Sequence, residues 1–164
     1  MRAGVTIRSA GENDFDPLSE LYRDSIKCNP RGFIQDLTFH GRLTAKIAAW
    51  RQGGGDILVA SFGDKLVGLG GLAPLNPRSA ELCKLHVDPE WQGRGIGRLI
   101  ATELVERARR IGFSEVELHV TATQTVAIAL YWSLGFREMD RKVFMAIVFG
   151  APVSFDTIYM SLAL

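Results

Sequence analysis

The chain of 164 residues is predicted to be an α/β protein with a mixed, mostly antiparallel sheet and helices on both faces. A glycine-containing turn at residues 63–65 joins two strand-like segments, which predicts an antiparallel hairpin. Further along, a strand, a glycine-rich turn, a long amphipathic helix and another strand follow in order. This arrangement predicts a parallel pair joined by a right-handed crossover. We expect residues 1–164 to form one domain, because this length suffices to bury a core.

The first half of the chain predicts two helices between its strands. An alternating segment near the N-terminus predicts the first strand, and apolar positions at helical spacing then predict a helix capped by Asn13 or Asp14. A second helix ends at the three glycines of residues 53–55. The hairpin supplies two further strands. The predicted elements are residues 5–7, 13–27, 37–51, 57–62 and 66–72.

The second half contains the clearest helix of the sequence. Apolar side chains of residues 96–111 recur at helical spacing, and Gly112 ends this helix. Thr123 is the expected N-cap of a fourth helix, which ends at Gly135. The last two strands are expected to form a closing antiparallel pair around residues 150–152. The predicted elements are residues 80–87, 96–111, 115–120, 124–134, 143–149 and 155–162.

Composition argues against several classes of function. A net charge of +1 gives no electrostatic case for a nucleic-acid partner, and the longest apolar run, residues 143–149, is too short to span a bilayer. Cys28 and Cys83 are too few for a disulfide framework, and they lack the spacing of metal ligands, so we expect no metal site. The N-terminus has no apolar signal region, which predicts a cytoplasmic protein.

The glycine-rich turn before the clearest helix predicts an anion site. Gly93, Gly95 and Gly97 leave their amides uncovered, so that a phosphate can contact the main chain. The start of the following helix adds N–H donors and a partial positive charge. Arg94 and Arg98 flank the turn and can donate hydrogen bonds to phosphate. The pattern therefore predicts a diphosphate site.

The glycine spacing argues against two common phosphate sites. A P-loop requires Lys followed by Ser or Thr after its last glycine, whereas this chain has Arg98 and Leu99 there. A dinucleotide fingerprint requires Gly-x-Gly-x-x-Gly and an acidic residue that ends a second strand. The spacing here is Gly-x-Gly-x-Gly, and Glu115 and Glu117 begin or lie within a strand. A module for another nucleotide is therefore only a third hypothesis.

Two segments resemble the GNAT superfamily of acyl-CoA-dependent N-acetyltransferases. Residues 92–97, Gln-Gly-Arg-Gly-Ile-Gly, match the family's Gln/Arg-x-x-Gly-x-Gly/Ala pyrophosphate motif, and residues 127–136 match its second motif. The resemblance implies a GNAT-like fold of about seven strands and about four helices, with a splayed central parallel pair, here residues 81–87 and 115–120. It also implies acetyl-CoA as co-substrate, with the pantetheine arm between these two strands.

The resemblance further implies a set of cofactor contacts. The arm would hydrogen-bond to the backbone near Leu85 and Val87, as an additional strand would. Many members carry Asn where this chain has Gln124, which is a departure from the family pattern. The cofactor-binding residues implied in this way are Leu85, His86, Val87, Gln92, Gly93, Arg94, Gly95, Ile96, Gly97, Arg98, Gln124 and Tyr131.

Glu81 is the predicted general base. An alkyl amine is protonated at neutral pH, so acetyl transfer to it needs a proton acceptor, and Glu81 lies where some superfamily members keep a catalytic glutamate. Strand alternation predicts that this carboxylate shares a face with three apolar neighbours: Cys83, Leu85 and Val87. His86 is predicted on the opposite face. A solvated carboxylate, with proton removal through water, is the alternative.

Tyr131 is the predicted general acid. The family resemblance directs its hydroxyl to the cofactor sulfur, and a thiol with a pKa near ~8.5 needs only modest help to leave. A hydrogen-bonded core tyrosine is the alternative. A backbone amide near Val87 would hold the oxyanion. His119 shares a strand face with Glu117 and could relay a proton, although a structural histidine is the more common interpretation.

These predictions define an N-acetyltransferase that moves an acetyl group from acetyl-CoA to a primary amine by direct attack in a ternary complex. A non-catalytic acyl-CoA sensor with the same fold is the alternative. The acceptor is a small-molecule or peptide amine whose identity stays open. We expect neither a nucleic-acid nor a membrane partner. The apolar C-terminal strands could pair across a homodimer.

Overall fold

The computed structural model describes residues 3–27, 39–148 and 150–164, so that Cys28 lies outside the described residues. Seven strands form one sheet in the order β1-β2-β3-β4-β5-β7-β6. The strands are β1 (Val5–Ser9), β2 (Asp56–Phe62), β3 (Lys65–Pro74), β4 (Ser79–Val87), β5 (Glu115–Thr121), β6 (Arg137–Val148) and β7 (Ala151–Ala163). The helices are α1 (Phe15–Lys27), α2 (Phe39–Gln52), α3 (Ile96–Ile111) and α4 (Thr125–Ser133).

The sheet confirms the predicted fold class. β4 and β5 are parallel and are connected through α3, whereas every other neighbouring pair is antiparallel. The predicted hairpin is the turn between β2 and β3, where Gly63 has a φ of +57°. Glycine suits such a turn because it adopts positive φ without a steric penalty.

Several predicted element ends were wrong, among them the start of β7, which is Ala151 and not Phe155. Gln124, not Thr123, occupies the N-cap of α4, with φ −83° and ψ 61° and no side-chain cap bond. β6 begins at Arg137, six residues before the predicted start at Val143, because its polar first half pairs with β7. In that half, Arg141 forms a 2.6 Å ion pair with Asp156 of β7.

Two separate cores lie on the two faces of the sheet. On one face, α3 and Phe136 pack against alternate residues of the central strands, such as Leu82 and Leu118. On the other face, Leu18 of α1 and Ile47 of α2 pack against the remaining alternate positions of β2 and β3. The period-two alternation of the strands therefore sends apolar side chains to both layers.

β4 contains a bulge at Lys84. The β3 partners Leu69 and Gly71 are two residues apart, yet they pair with His86 and Cys83, which are three residues apart. The additional residue is accommodated at Lys84, whose φ of +54° is left-handed. Left-handed backbone is costly for a residue with a side chain, so this conformation is strained.

The bulge makes the predicted face assignment of β4 wrong. A Cβ placed on Gly71 would meet both the Cys83 sulfur and the Trp50 ring of α2, at 3.1 and 3.2 Å. Leu85, in contrast, lies near α3, as does Val87. An inserted residue shifts the alternation by one, so Leu85 and Val87 do not share the face of Cys83.

The same shift in alternation changes the face on which His86 lies. Its ring contacts the ring of Tyr22 in α1, with centroids 4.8 Å apart and planes at 90°. It therefore lies on the face that α1 and α2 cover. Alternation before the bulge places Glu81 and Cys83 on this same face, so the predicted separation of His86 from Glu81 is corrected.

β4 and β5 separate after a short paired segment. Their ladder consists of Ser79 with Glu115, Ala80 with Val116, and Glu81 with Glu117. Beyond Glu81 the two strands diverge and form no further pairs. The central parallel pair is therefore splayed toward its carboxyl end.

Candidate active site

The separated strands open a cleft of about 780 Å³. β4 forms one wall from Glu81 to Val87, the end of β5 and α4 form the other, and the glycine-rich turn closes one end. This cleft brings together both predicted catalytic residues and all predicted cofactor-binding residues except Arg94. The lining consists of residues 81–87, 91–93, 95–98, 119–121, 123–127 and 129–131.

The glycine-rich turn presents main-chain donors to this cleft. Gly93 and Gly95 have φ values of +75° and +79°, and Gly95 is the N-cap of α3. The first backbone bond of the helix runs from the Leu99 amide to the Gly95 carbonyl, at 3.1 Å. The amides of residues 96–98 precede this bond and have no acceptor within the helix. They form a site for an anion.

Side chains fix the turn against the end of β4. The amide nitrogen Nε2 of Gln92 donates to the Val87 carbonyl at 3.1 Å, and Oδ1 of Asp88 accepts from the Glu90 amide at 2.9 Å. Gly97 has no positive φ and lies within the first turn of α3. The left-handed conformation is thus required at two of the three glycines, not at all three.

The two flanking arginines take different directions. Arg98 lines the cleft, and its Nη2 donates to the Ser133 hydroxyl of α4 at 2.7 Å. Arg94 instead stacks on the Trp91 ring, 4.7 Å from its centroid, and donates to the Glu90 carbonyl. Only Arg98 is therefore placed to contact a ligand in the cleft, and Arg94 supports the turn from outside.

Tyr131 reaches the cleft from α4. It is 7% exposed, and its ring lies 5.9 Å from that of Phe136. Burial raises the pKa of its hydroxyl to about 12, with a smaller contribution from nearby Cys83. The hydroxyl therefore keeps its proton at neutral pH and can act as a donor.

Glu81 and His119 face each other at the point where the strands separate. His119 Nδ1 lies 3.6 Å from Oε1 of Glu81, and both residues line the cleft. This distance is too long for a hydrogen bond but short enough for an ion pair when the imidazole is protonated. The His119 ring also lies beside Tyr159 of β7, with ring centroids 5.9 Å apart. The sequence suggested a relay role for His119 but not this pairing.

The other polar residues of β4 are affected by burial. Burial raises the pKa of the Cys83 thiol to about 12 and lowers the pKa of His86 to about 4, and the charge of Lys84 lowers the latter further. Both groups are therefore neutral at pH 7. Burial also lowers the pKa of Lys84, whose Nζ lies 5.4 Å from the Tyr22 ring centroid. Sequence reasoning missed Lys84, since no motif indicates a left-handed lysine.

The cleft fits the two recognisable parts of an acyl-CoA. The amides at the start of α3 suit a diphosphate. The β4 backbone beyond Glu81 has no β5 partner, so its groups are available to the amides of a pantetheine arm. Within the described ranges, no cluster of three or more His, Cys, Asp or Glu side chains could hold a metal ion. Nor is any described helix both long and apolar enough to cross a membrane.

Comparison with known proteins identifies the family. The model of the GNAT acetyltransferase family matches residues 18–136, and the chain belongs to this family. An uncharacterized N-acetyltransferase of Escherichia coli (strain K12), YjgM, is 35% identical over 94 residues, which are 56% of each chain. The chain spans about half the length of the curated relatives that it matches first.

Two solved structures have the same fold. The ribosomal-protein-alanine N-acetyltransferase of Brucella melitensis is 27% identical and superposes with a TM-score of 0.82, covering 97% of this chain and 99% of that one. The yncA protein of Salmonella typhimurium, solved with its cofactor acetyl-CoA, is 23% identical with a TM-score of 0.83. The superposition covers 98% of this chain and 94% of the Salmonella protein. At that identity the second likeness shows the fold alone.

Proposed function

We propose that this protein is an N-acetyltransferase that moves an acetyl group from acetyl-CoA to a primary amine within a ternary complex. One observation carries the proposal. A single cleft joins an amide-lined turn at one end to a carboxylate, a histidine and a protonated tyrosine at the other. Such a cleft combines an anion site with groups that can accept and donate protons.

The turn and β4 are the proposed cofactor site. The amides of residues 96–98 and the Arg98 side chain would hold the diphosphate, and the open edge of β4 would bind the pantetheine arm near Leu85 and Val87. Gln124 lines the same cleft. When bound, acetyl-CoA supplies an activated acetyl thioester. Membership of the GNAT family and the acetyl-CoA held by the Salmonella protein of the same fold support this assignment.

Glu81 is the proposed proton acceptor for the incoming amine. It lies at the last paired position of the splayed strands, on the face opposite α3. His119 lies close enough to hold the carboxylate in place as an ion pair when its imidazole is protonated. A backbone amide near Val87 would donate to the oxygen that develops negative charge.

Tyr131 is the proposed donor to the departing sulfur. Its raised pKa means that the hydroxyl holds a proton throughout the neutral range. A thiolate is a good leaving group, so one donor suffices. Residues 1–164 would act as one domain, the cytoplasmic location stays a prediction, and a homodimer through the apolar residues of β6 also stays a proposal.

The proposal is tested by calorimetric titration with acetyl-CoA, followed by thiol release with a panel of amines. We expect saturable binding and release with at least one class of amine. Binding without release would favour the non-catalytic sensor. Tighter binding of ATP than of CoA would favour a nucleotide module, and absence of acetyl-CoA binding would contradict the cofactor site.

A further inference from the structure

The splayed strands determine the side from which an acceptor can reach the cofactor. α3 and α4 contact one side of the cleft, which is where the turn would hold the diphosphate. An amine must approach the thioester from the side that the cofactor does not fill. This is the side of β4 that faces α1 and α2, where Glu81, Cys83 and His86 point.

Lys84 is positioned on this side by the bulge. The residue lines the cleft, and its Nζ lies 5.4 Å from the ring centroid of Tyr22 in α1. The strained backbone at φ +54° fixes where the side chain leaves the strand. Strained residues of this kind concentrate at functional sites, where the surrounding structure maintains them.

Two of the titratable side chains on this side of β4 carry no charge at pH 7. His86 and Cys83 are neutral at pH 7, because their pKa values are about 4 and about 12. The charged side chains of β4 described on this side are then Glu81 and Lys84, with Lys46 of α2 also acting on Lys84 and His119 of β5 lying 3.6 Å from Glu81. Cys83 lies between Glu81 and Lys84 in the chain, and the charge of Glu81 raises its pKa whereas that of Lys84 lowers it.

The two opposite charges match an acceptor that carries both an amine and an anion. Three residues of extended strand span about 10 Å, and the flexible lysine stem can close much of that distance. Glu81 would face the amine and Lys84 the anion. An anion close to Lys84 would also counteract the burial that disfavours its charged form.

We propose that the acceptor is an amine bearing a nearby anionic group, of which an α-amino acid is the simplest case, and that Lys84 is the specificity-determining residue that binds this anion. The inference rests on the proposed acetyltransferase function. It adds a substrate class to that function.

The test compares acceptors that differ only in charge. The standard L-α-amino acids are each assayed beside their own carboxamides, with wild-type protein and with Lys84→Met. The measured quantity is the ratio of kcat/KM for the acid to kcat/KM for the amide. We expect the variant to lower this ratio at least about 10-fold, the size of a lost hydrogen bond between charged groups. Comparing the ratio between proteins cancels the different basicity of the two amines.

Two further variants separate binding from folding. Lys84→Gly removes the charge but suits the left-handed backbone, so it should lower the ratio as Lys84→Met does. Lys46→Met removes an exposed α2 lysine that also acts on Cys83 and Lys84, and it should leave the ratio unchanged.

Three results would overturn the inference. These are a smaller fall in the ratio for either Lys84 variant, an equal fall for Lys46→Met, or wild-type turnover confined to amines without an anion. Thiol release from none of the amines, despite acetyl-CoA binding, would instead contradict the proposed acetyltransferase function, and this inference with it.

Discussion

The two faces of the central sheet differ in the kind of group that they present to the cleft. On the side of α3 and α4, the available groups are mainly backbone amides at the start of a helix and along the open edge of β4. On the side of α1 and α2, they are titratable side chains: Glu81, Cys83, Lys84, His86 and His119.

This difference separates two tasks of the proposed enzyme. Backbone groups are present in any sequence that adopts the fold, so they suit a cofactor shared by a whole family. Side chains can change without altering the fold, so they suit an acceptor that differs between members. The comparison therefore predicts that changes on one side affect cofactor binding, whereas changes on the other affect turnover.

The largest effect is expected at the turn. Gly95→Val should weaken acetyl-CoA binding at least about 100-fold, because a branched side chain resists the φ of +79° and obstructs amides that would bind the diphosphate. Calorimetric titration measures this change. Gly112→Val is the matched control, since Gly112 caps the other end of α3 with a φ of +103°. The control should lose a similar amount of stability and keep acetyl-CoA binding. Equal binding by both variants would contradict the assignment of the anion site to the turn.

Glu81 should show the opposite pattern. Glu81→Gln is expected to lower turnover about 100-fold or more with little change in acetyl-CoA affinity, because it removes a general base and no cofactor contact. Steady-state kinetics and titration of the same preparation give both numbers. Glu117→Gln is the control, because Glu117 is the β5 partner of Glu81 but does not line the cleft. Unchanged turnover in Glu81→Gln would indicate proton removal through water.

The side of the sheet that is proposed to bind the cofactor was also the more predictable one. The motif at residues 92–97 combines a strand end, positive-φ glycines and a helix start, and each of these has a local sequence signal. The apolar period of α3 likewise depends only on neighbours in the chain. These features therefore appeared where the sequence placed them.

The side that is proposed to receive the acceptor could not be predicted in the same way. The bulge at Lys84 inserts one residue into a strand whose apolar pattern continues on both sides, so alternation alone assigned Leu85 and Val87 to the wrong face. The orientation of Arg94 depends on Trp91, and the first half of β6 is strand only because β7 pairs with it. Each of these outcomes is decided by a tertiary contact.

Tyr131 belongs to the core on the α3 side, yet the charge of Cys83 on the other face reaches it, and its replacement should have an intermediate effect. Tyr131→Phe is expected to lower turnover about 10-fold or more, since it removes one proton donor from a reaction with a good leaving group. Because the pKa of Tyr131 is about 12, any loss of activity between pH 7 and 9 should persist in the variant. Tyr159→Phe, which keeps the ring beside His119, is the control. Equal turnover by wild type and Tyr131→Phe would show that this tyrosine contributes to packing and not to proton donation.

His86 should affect stability more than turnover. Its pKa is about 4 in the folded protein and 6.5 when exposed, because partial burial beside Tyr22 and, to a smaller extent, the charge of Lys84 disfavour protonation. The unfolded chain therefore binds more protons between pH 4 and 6.5, so the free energy of unfolding falls as the pH falls through this interval. The full loss is about 3 kcal/mol.

His86→Gln removes this titration and should flatten the dependence on pH. Urea unfolding of wild type and variant at pH 7.5 and pH 4.5 measures the change in the free energy of unfolding between the two pH values. Each protein is compared with itself, so that any loss of packing already present at pH 7.5 cancels. We expect the wild type to lose more stability than the variant between the two values. Parallel losses would mean that carboxylates elsewhere cause the acid sensitivity, and that the imidazole is more accessible to water than its contact with Tyr22 indicates.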